Sequence, residues 1–242
     1  MGNPVEPLLY EDGDTVLHGE LYLPVAPANG QAVLVVHEAD GIGGNVRRHC
    51  RRLSHMGYIV LAADMHGGGQ VLEGEAMRRA LDRFRAQPDL VRQRVNAGFE
   101  ALLSVAKVSA DHSAAIGFCF GGFAVLELAR SGAHVAAVAS FHGLLTTMRP
   151  ATSGRIRARL AVFTGARDPL VPALDVATFQ QEMSAAEADW QMTVYDNALH
   201  SFTNPDVDQL NDPRMAYDDA AHRLSWNALI DFLDASLPQH RA

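Results

Sequence analysis

A thiol set between glycines where a strand gives way to a helix constrains this chain more than any other feature. Gly117-Phe118-Cys119-Phe120-Gly121-Gly122 lies between an apolar run at 112–116 and a run with few helix breakers at 123–130. The first reads as a short buried strand and the second as a helix. A chain that doubles back so sharply needs small residues two positions on either side of its apex, and Gly117 and Gly121 meet that need. Cys119 is therefore a candidate nucleophile. At a helix N-terminus the unpaired N–H groups and the positive end of the macrodipole favour the thiolate, the reactive form of cysteine. The Phe120 N–H would then serve as one oxyanion donor. The plainer reading is a small apolar residue packed at the junction.

The rest of the chain repeats strand and helix patterns. Residues 15–23 alternate as an edge or hairpin strand ending at Pro24. Residues 32–36 are continuously apolar, the mark of a strand covered on both faces. A helix is expected over 45–55, stopped by Gly57, and a buried strand over 58–63. Gly67-Gly68-Gly69 leads into helical stretches near 72–85 and 89–107. Strands near 135–140, 159–163 and 190–195, with helices near 174–186 and 213–235, complete the pattern. This alternation implies a mostly parallel sheet with helices on both faces, read here as a single α/β domain over residues 1–242.

In such a sheet the residues that follow several strands meet along one edge, however far apart they lie in sequence. Cys119 follows one strand, Asp168 a second and His200 a third. Nucleophile, acid, histidine is the chain order of α/β-hydrolase triads. A histidine with an ordinary pKa of about 6.5 takes a proton and returns it near neutral pH, and a carboxylate on its other nitrogen fixes its tautomer. Taken singly, Asp168 is a turn aspartate before Pro169 and His200 a loop histidine.

These segments, with His37-Glu38-Ala39-Asp40-Gly41, Gly165-Ala166-Arg167-Asp168-Pro169 and His200-Ser201-Phe202, together resemble the dienelactone hydrolase family of α/β-hydrolases over residues 15–233. The resemblance implies hydrolysis of a small ester or lactone without cofactor or metal. It implies that Glu38 contacts the resting thiol and moves aside for substrate, and that the Ala39 N–H is the second oxyanion donor. A carboxylate beside the sulfur disfavours the thiolate and limits its oxidation. His66 and His142 either line the substrate pocket or satisfy loop hydrogen bonds, and they are substrate-binding candidates with Arg79 and Arg83, whose place on a polar helix also reads as a solvated face. Family members hold a substrate carboxylate partly through an arginine shortly after the histidine, whereas Thr203 and Asn204 follow here, so an anionic lactone is not the expected substrate.

A net charge of −8 argues against a nucleic-acid partner. No apolar stretch nears the roughly 20 residues that span a bilayer, and the amino-terminal stretch lacks a basic and apolar leader. A cytoplasmic monomer or homodimer is expected. The chain has two cysteines, Cys50 and Cys119, with no need of a disulfide at this size. Two other classes are weighed. A non-catalytic ligand receptor or scaffold of this fold would have a side chain packed between sulfur and imidazole, and a thiol redox enzyme would need a resolving cysteine near Cys119. A metal held by His66, His142, Glu38 and Asp64 lacks any recognised ligand spacing, and Ser104-Val105-Ala106-Lys107 lacks the partner motifs of an SxxK enzyme.

Overall fold

The computed structural model describes residues 5–238; residues 1–4, which open the stretch read above for a leader, and 239–242 lie outside them. The run Ala32–Val36 forms strand β3, with every residue buried on both faces. Around it lie β4 (Ile59–Ala63), β5 (Ser113–Phe118), β6 (Ala137–Phe141), β7 (Arg159–Gly165) and β8 (Trp190–Tyr195). Two further strands, β1 (Val5–Asp12) and β2 (Thr15–Tyr22), complete an eight-stranded sheet in the order β1-β2-β4-β3-β5-β6-β7-β8. The pairs from β4 through to β8 are parallel, while β1 with β2 and β2 with β4 are antiparallel.

Alternate residues of these strands feed two separate cores. Leu34, Val36, Leu61, Ala115, Val138 and Val162 face α2 (Gly74–Ala86), α3 (Pro88–Ala106), α4 (Phe120–Arg130) and α5 (Ala173–Ala185). Val33, Val35, Val60, Ile116, Phe118 and Phe163 face α1 (Gly44–His55) and α6 (Asp219–Ser236). Continuous apolar strands are thus explained by helices on both faces. The far end of α4 is tied down by buried charges. Arg92 and Arg130 both donate to Glu127, and Arg130 also holds Glu182 of α5 at 2.7 Å. Removing one partner from such a buried set costs about 3–5 kcal/mol.

The structure extends the expected pattern at its start and corrects the start of the last helix. A strand precedes residue 15: β1 pairs with β2 along its full length, turning at Gly13-Asp14, where Gly13 has φ +56°. The stretch at 15–23 is in consequence the second arm of a hairpin, one of its two expected forms, and it lies inside the sheet, since Leu17, Gly19 and Leu21 are buried against β4 and the helix layer. The last helix starts at Asp219 because the Asp218 side chain caps it, accepting from the Ala221 N–H at 2.9 Å. Residues 213–217, expected to be helical, instead run beside His200. No helix among the described residues is long and apolar enough to cross a membrane.

His49 on α1 is buried between Phe118 and Trp226, with ring centroids 4.3 and 5.0 Å away. Among the described residues neither ring nitrogen has a hydrogen-bond partner in good geometry, although the Thr203 backbone acts on the ring. Burial, then the neighbouring His222, Arg52 and Arg48, holds its pKa well below the ordinary 6.5. The unfolded chain takes up this proton near pH 6.5 and the folded chain does not, so the contribution is intact above that pH and lost as pH falls below it. His49→Phe, which keeps the stack, is expected to shrink the stability lost between about pH 7.5 and about pH 5.5 by about 1 kcal/mol. Urea unfolding at the two pH values measures it; an unchanged loss would refute the assignment.

Candidate active site

Order in the sheet reverses between β3 and β5, and the crevice beyond their carboxyl ends is where open α/β sheets bind ligands. Cys119 stands there between β5 and α4 with φ +52° and ψ −115°, a region that residues with side chains rarely occupy. Glycines make the turn possible. A Cβ on Gly117 would lie 2.0 Å from the Gly121 carbonyl oxygen, and one on Gly121 would lie 2.1 Å from that of Val36. The Cys119 N–H is shared between the Phe141 carbonyl at 3.0 Å and His142 Nδ1 at 3.1 Å. Phe120 opens α4, where helix geometry leaves its N–H without an intrahelical acceptor.

His200 Nε2 lies 3.1 Å from Cys119 Sγ, and its Nδ1 lies 2.7 Å from Asp168 Oδ2. Asp168 is fixed in turn, its other oxygen accepting from the Leu170 N–H at 2.8 Å. The loops carrying acid and imidazole meet at Gly165, where a Cβ would lie 2.2 Å from the Ala198 carbonyl oxygen. The His200 N–H donates to the Arg214 carbonyl, and the Ala216 N–H donates to that of His200. With Asp168 accepting at Nδ1, Nε2 is the nitrogen turned to the sulfur. Burial pulls the imidazolium down, but the sulfur and Asp168 outweigh it and push His200 up to about 10. The arrangement thus holds a proton on the imidazole next to the sulfur.

Beyond β3, His37 is buried and neutral, with burial pushing it down to about 4. Its Nδ1–H donates to the Glu38 carbonyl at 2.5 Å and its Nε2 accepts from the Met65 N–H at 3.0 Å. His66 Nε2 donates to the Ala39 carbonyl at 3.0 Å, which fixes the peptide after the second oxyanion candidate. Burial first, then Asp40, pushes the Glu38 carboxyl up to about 7. Its oxygen accepts from the Asn204 side-chain amide at 3.1 Å. The structure therefore puts Glu38 on Asn204 and the thiol on His200, rather than Glu38 on the thiol.

The other candidates are placed differently. His142 takes the second of its two expected parts and satisfies loop hydrogen bonds, fully buried beneath the elbow: burial keeps it neutral, Nδ1 receives the Cys119 N–H, and Nε2–H donates to Thr203 Oγ1 at 2.8 Å. Arg79 pairs with Glu75 on the exposed side of α2, and Arg83 is exposed there too. What α2 turns inward is Phe84, whose ring lies 5.0 Å from that of Phe120. Asp64 accepts from four backbone N–H groups, of His18, His66, Gly67 and Gly69. A cleft of about 400 Å³ lies along α2 and α4, lined by Arg85, Phe123, Thr146 and Met148, and does not include Cys119. The sequence shows Thr203 and Asn204 only as the residues standing in place of an arginine, and it assigns no part to them or to Phe84; only the apolar Phe84 among exposed arginines carries a periodic signal.

A parallel-rich sheet with a thiol elbow at its switch point, facing an imidazole and a carboxylate in that chain order, defines an α/β-hydrolase. The sequence profile of the dienelactone hydrolase family matches residues 17–237, so the chain belongs to that family and is a hydrolase. It is similar to the solved structure of a protein called m3DLH, with a TM-score of 0.91, 36% identity and 97% and 99% of the two chains covered. A dienelactone hydrolase-like promiscuous phosphotriesterase from metagenomic libraries is similar to the same extent, with a TM-score of 0.91 and 34% identity over 97% and 99% of the chains. Among curated proteins, the uncharacterized protein K02A2.1 of Caenorhabditis elegans is 33% identical over 145 residues, which is 59% of this chain and 92% of that one.

The support beneath the elbow is testable. Thr203→Val removes the acceptor of the buried His142 N–H and is expected to cost about 1–3 kcal/mol in urea unfolding. Thr203→Ser, which keeps the hydroxyl, is expected to cost less than half as much. Equal losses would show that the methyl group and not the hydrogen bond matters.

Proposed function

We propose that the protein hydrolyses a small, uncharged ester or lactone through a thioester formed on Cys119. The observation that carries this is the 3.1 Å approach of His200 Nε2 to Cys119 Sγ, with Asp168 2.7 Å from Nδ1. The sulfur attacks the acyl carbon while the carbonyl oxygen takes up negative charge toward the Phe120 and Ala39 N–H groups. His200 donates its proton to the departing alkoxide, then takes one from the water that cleaves the thioester. Asp168 holds the tautomer and stabilises the imidazolium. Hydrogen-bond contact between sulfur and imidazole, with no side chain packed between them, speaks against the receptor or scaffold reading.

An uncharged substrate fits the electrostatics. Glu38 and Asp40 follow β3 at the sheet edge that carries the thiol, while three guanidinium groups are engaged by carboxylates: Arg48 by Asp206, Arg79 by Glu75 and Arg214 by Asp212. A substrate carboxylate would meet two acids and no free counter-charge from these arginines. Phosphotriesters, named for the metagenomic relative, are also uncharged, and an elbow thiol can attack phosphorus as it attacks an acyl carbon. A soluble location in the cytoplasm and a monomeric or homodimeric state accord with this reading.

Initial rates on short-chain aryl esters, lactones and a neutral aryl phosphotriester test it. Cys119→Ala is expected to lower kcat/KM at least about 1000-fold on each substrate that the wild type cleaves. Neutral esters are expected to exceed their anionic analogues at least about tenfold. With His200 pushed up to about 10, its proton persists through mildly alkaline pH, so the rate should fall only as pH passes about 10. Wild-type turnover by Cys119→Ala would end the proposal.

A further inference from the structure

Glu38 and Cys119 occupy equivalent positions just past two neighbouring strands. Val36 of β3 pairs with Gly117 of β5, and each chain runs two residues further to reach them. Adjacent strands lie about 4.8 Å apart, a gap that a glutamate side chain spans. Glu38 would therefore compete with His200 for the thiol wherever nothing held it back. As an acid it would donate to the sulfur, and as a carboxylate it would repel the thiolate.

Something does hold it. The Asn204 amide nitrogen donates to Glu38 Oε2 at 3.1 Å, and the amide cannot be turned round, because its oxygen accepts from the Asp206 N–H at 3.0 Å and from Arg48 Nη2 at 3.3 Å. Arg48 is itself fixed by Asp206 at 2.7 Å. Asn204 belongs to the turn that carries the imidazole, its N–H donating to the Ser201 carbonyl at 2.9 Å. A second amide, Asn45 in the first turn of α1, faces Glu38 and is 2% exposed, and among the described residues neither of its polar atoms has a hydrogen-bond partner in good geometry, although the amide already lies close enough to act on the Glu38 carboxyl. Burial of an unpaired amide is costly, and a small movement of Glu38 would pair it.

We propose that Asn204, backed by Asn45, is a positioning residue that holds the Glu38 side chain away from the Cys119 sulfur, so that the thiol rests on His200 before any substrate arrives. This rests on the reading of Cys119 as nucleophile. Glu38, pushed up to about 7 by burial and Asp40, is present in both protonation states at neutral pH, and the holder acts on either. The thiol is thus primed at rest and not unlatched by its substrate.

Alkylation by iodoacetamide reads the resting thiol directly: the sulfur attacks the methylene carbon, a C–S bond forms and iodide leaves. The rate is followed as the mass of the Cys119 peptide, Cys50 being buried. Removing both amides, Asn45→Ala with Asn204→Ala, is expected to slow alkylation about tenfold at neutral pH. Adding Glu38→Gln to that pair is expected to bring the rate back to within about twofold of Glu38→Gln alone, by the logic of a mutant cycle. Should the double variant not fold, Asn204→Ala alone with the same Glu38→Gln rescue serves. An unslowed rate, or a slow rate that Glu38→Gln does not restore, overturns the proposal, the latter because it marks loop packing alone. No substrate is used, so failure here is distinct from failure of the ester reading, which Cys119→Ala tests.

Discussion

The backbone at Cys119 is the constraint on which the site depends. A non-glycine residue at φ +52° costs about 1–3 kcal/mol and persists only where its surroundings over-determine it. Here they do so on every side. Gly117 and Gly121 leave the first turn of α4 no clearance from β3, the Cys119 N–H is shared by two acceptors, and the far end of α4 is locked by the Glu127–Arg130–Glu182 set. The strained turn lifts the sulfur out of the sheet edge to where a loop 81 residues further along the chain presents an imidazole.

Around that contact one environment produces opposite histidines. His37, His66 and His142 are all pushed down by burial, each with a hydrogen bond to a neutral group. They are pins: His37 and His66 fix the β3 exit loop, and His142 fixes the underside of the elbow. His200 is as deeply buried, yet is pushed up, because it alone among the four lies between a sulfur and a carboxylate. Pairs of titratable groups driven apart in this way mark acid–base roles. Neutral pins also leave the proton on His200 without a competing positive charge nearby.

Much of this was legible in the chain, and for a physical reason. β3, β4, β5 and β7 are short apolar runs buried on both faces, so their ends are sharp, and Glu38, Asp64, Cys119 and Asp168 all fall within three residues of an end. β1 was not legible, because it is an edge strand exposed on most of its length, with Pro7 and three acids, and only Asp12-Gly13 marks its turn. The start of α6 was misjudged since helical spacing continues back to Pro213, while the backbone there is drawn into bonds with His200. His142 and Asn204 could not be assigned for a different cause. Their partners, Thr203 and Glu38, are 61 and 166 residues away, and polar loop residues carry no periodicity that announces such a pairing.

The most direct test of the central claim is the mass of the enzyme quenched in acid during turnover of an activated aryl ester. An acyl adduct is expected on the peptide that contains Cys119, at a steady level while substrate lasts and absent from Cys119→Ala. Continued ester hydrolysis with no adduct under conditions that preserve thioesters, or with the acyl group on another residue, would contradict it.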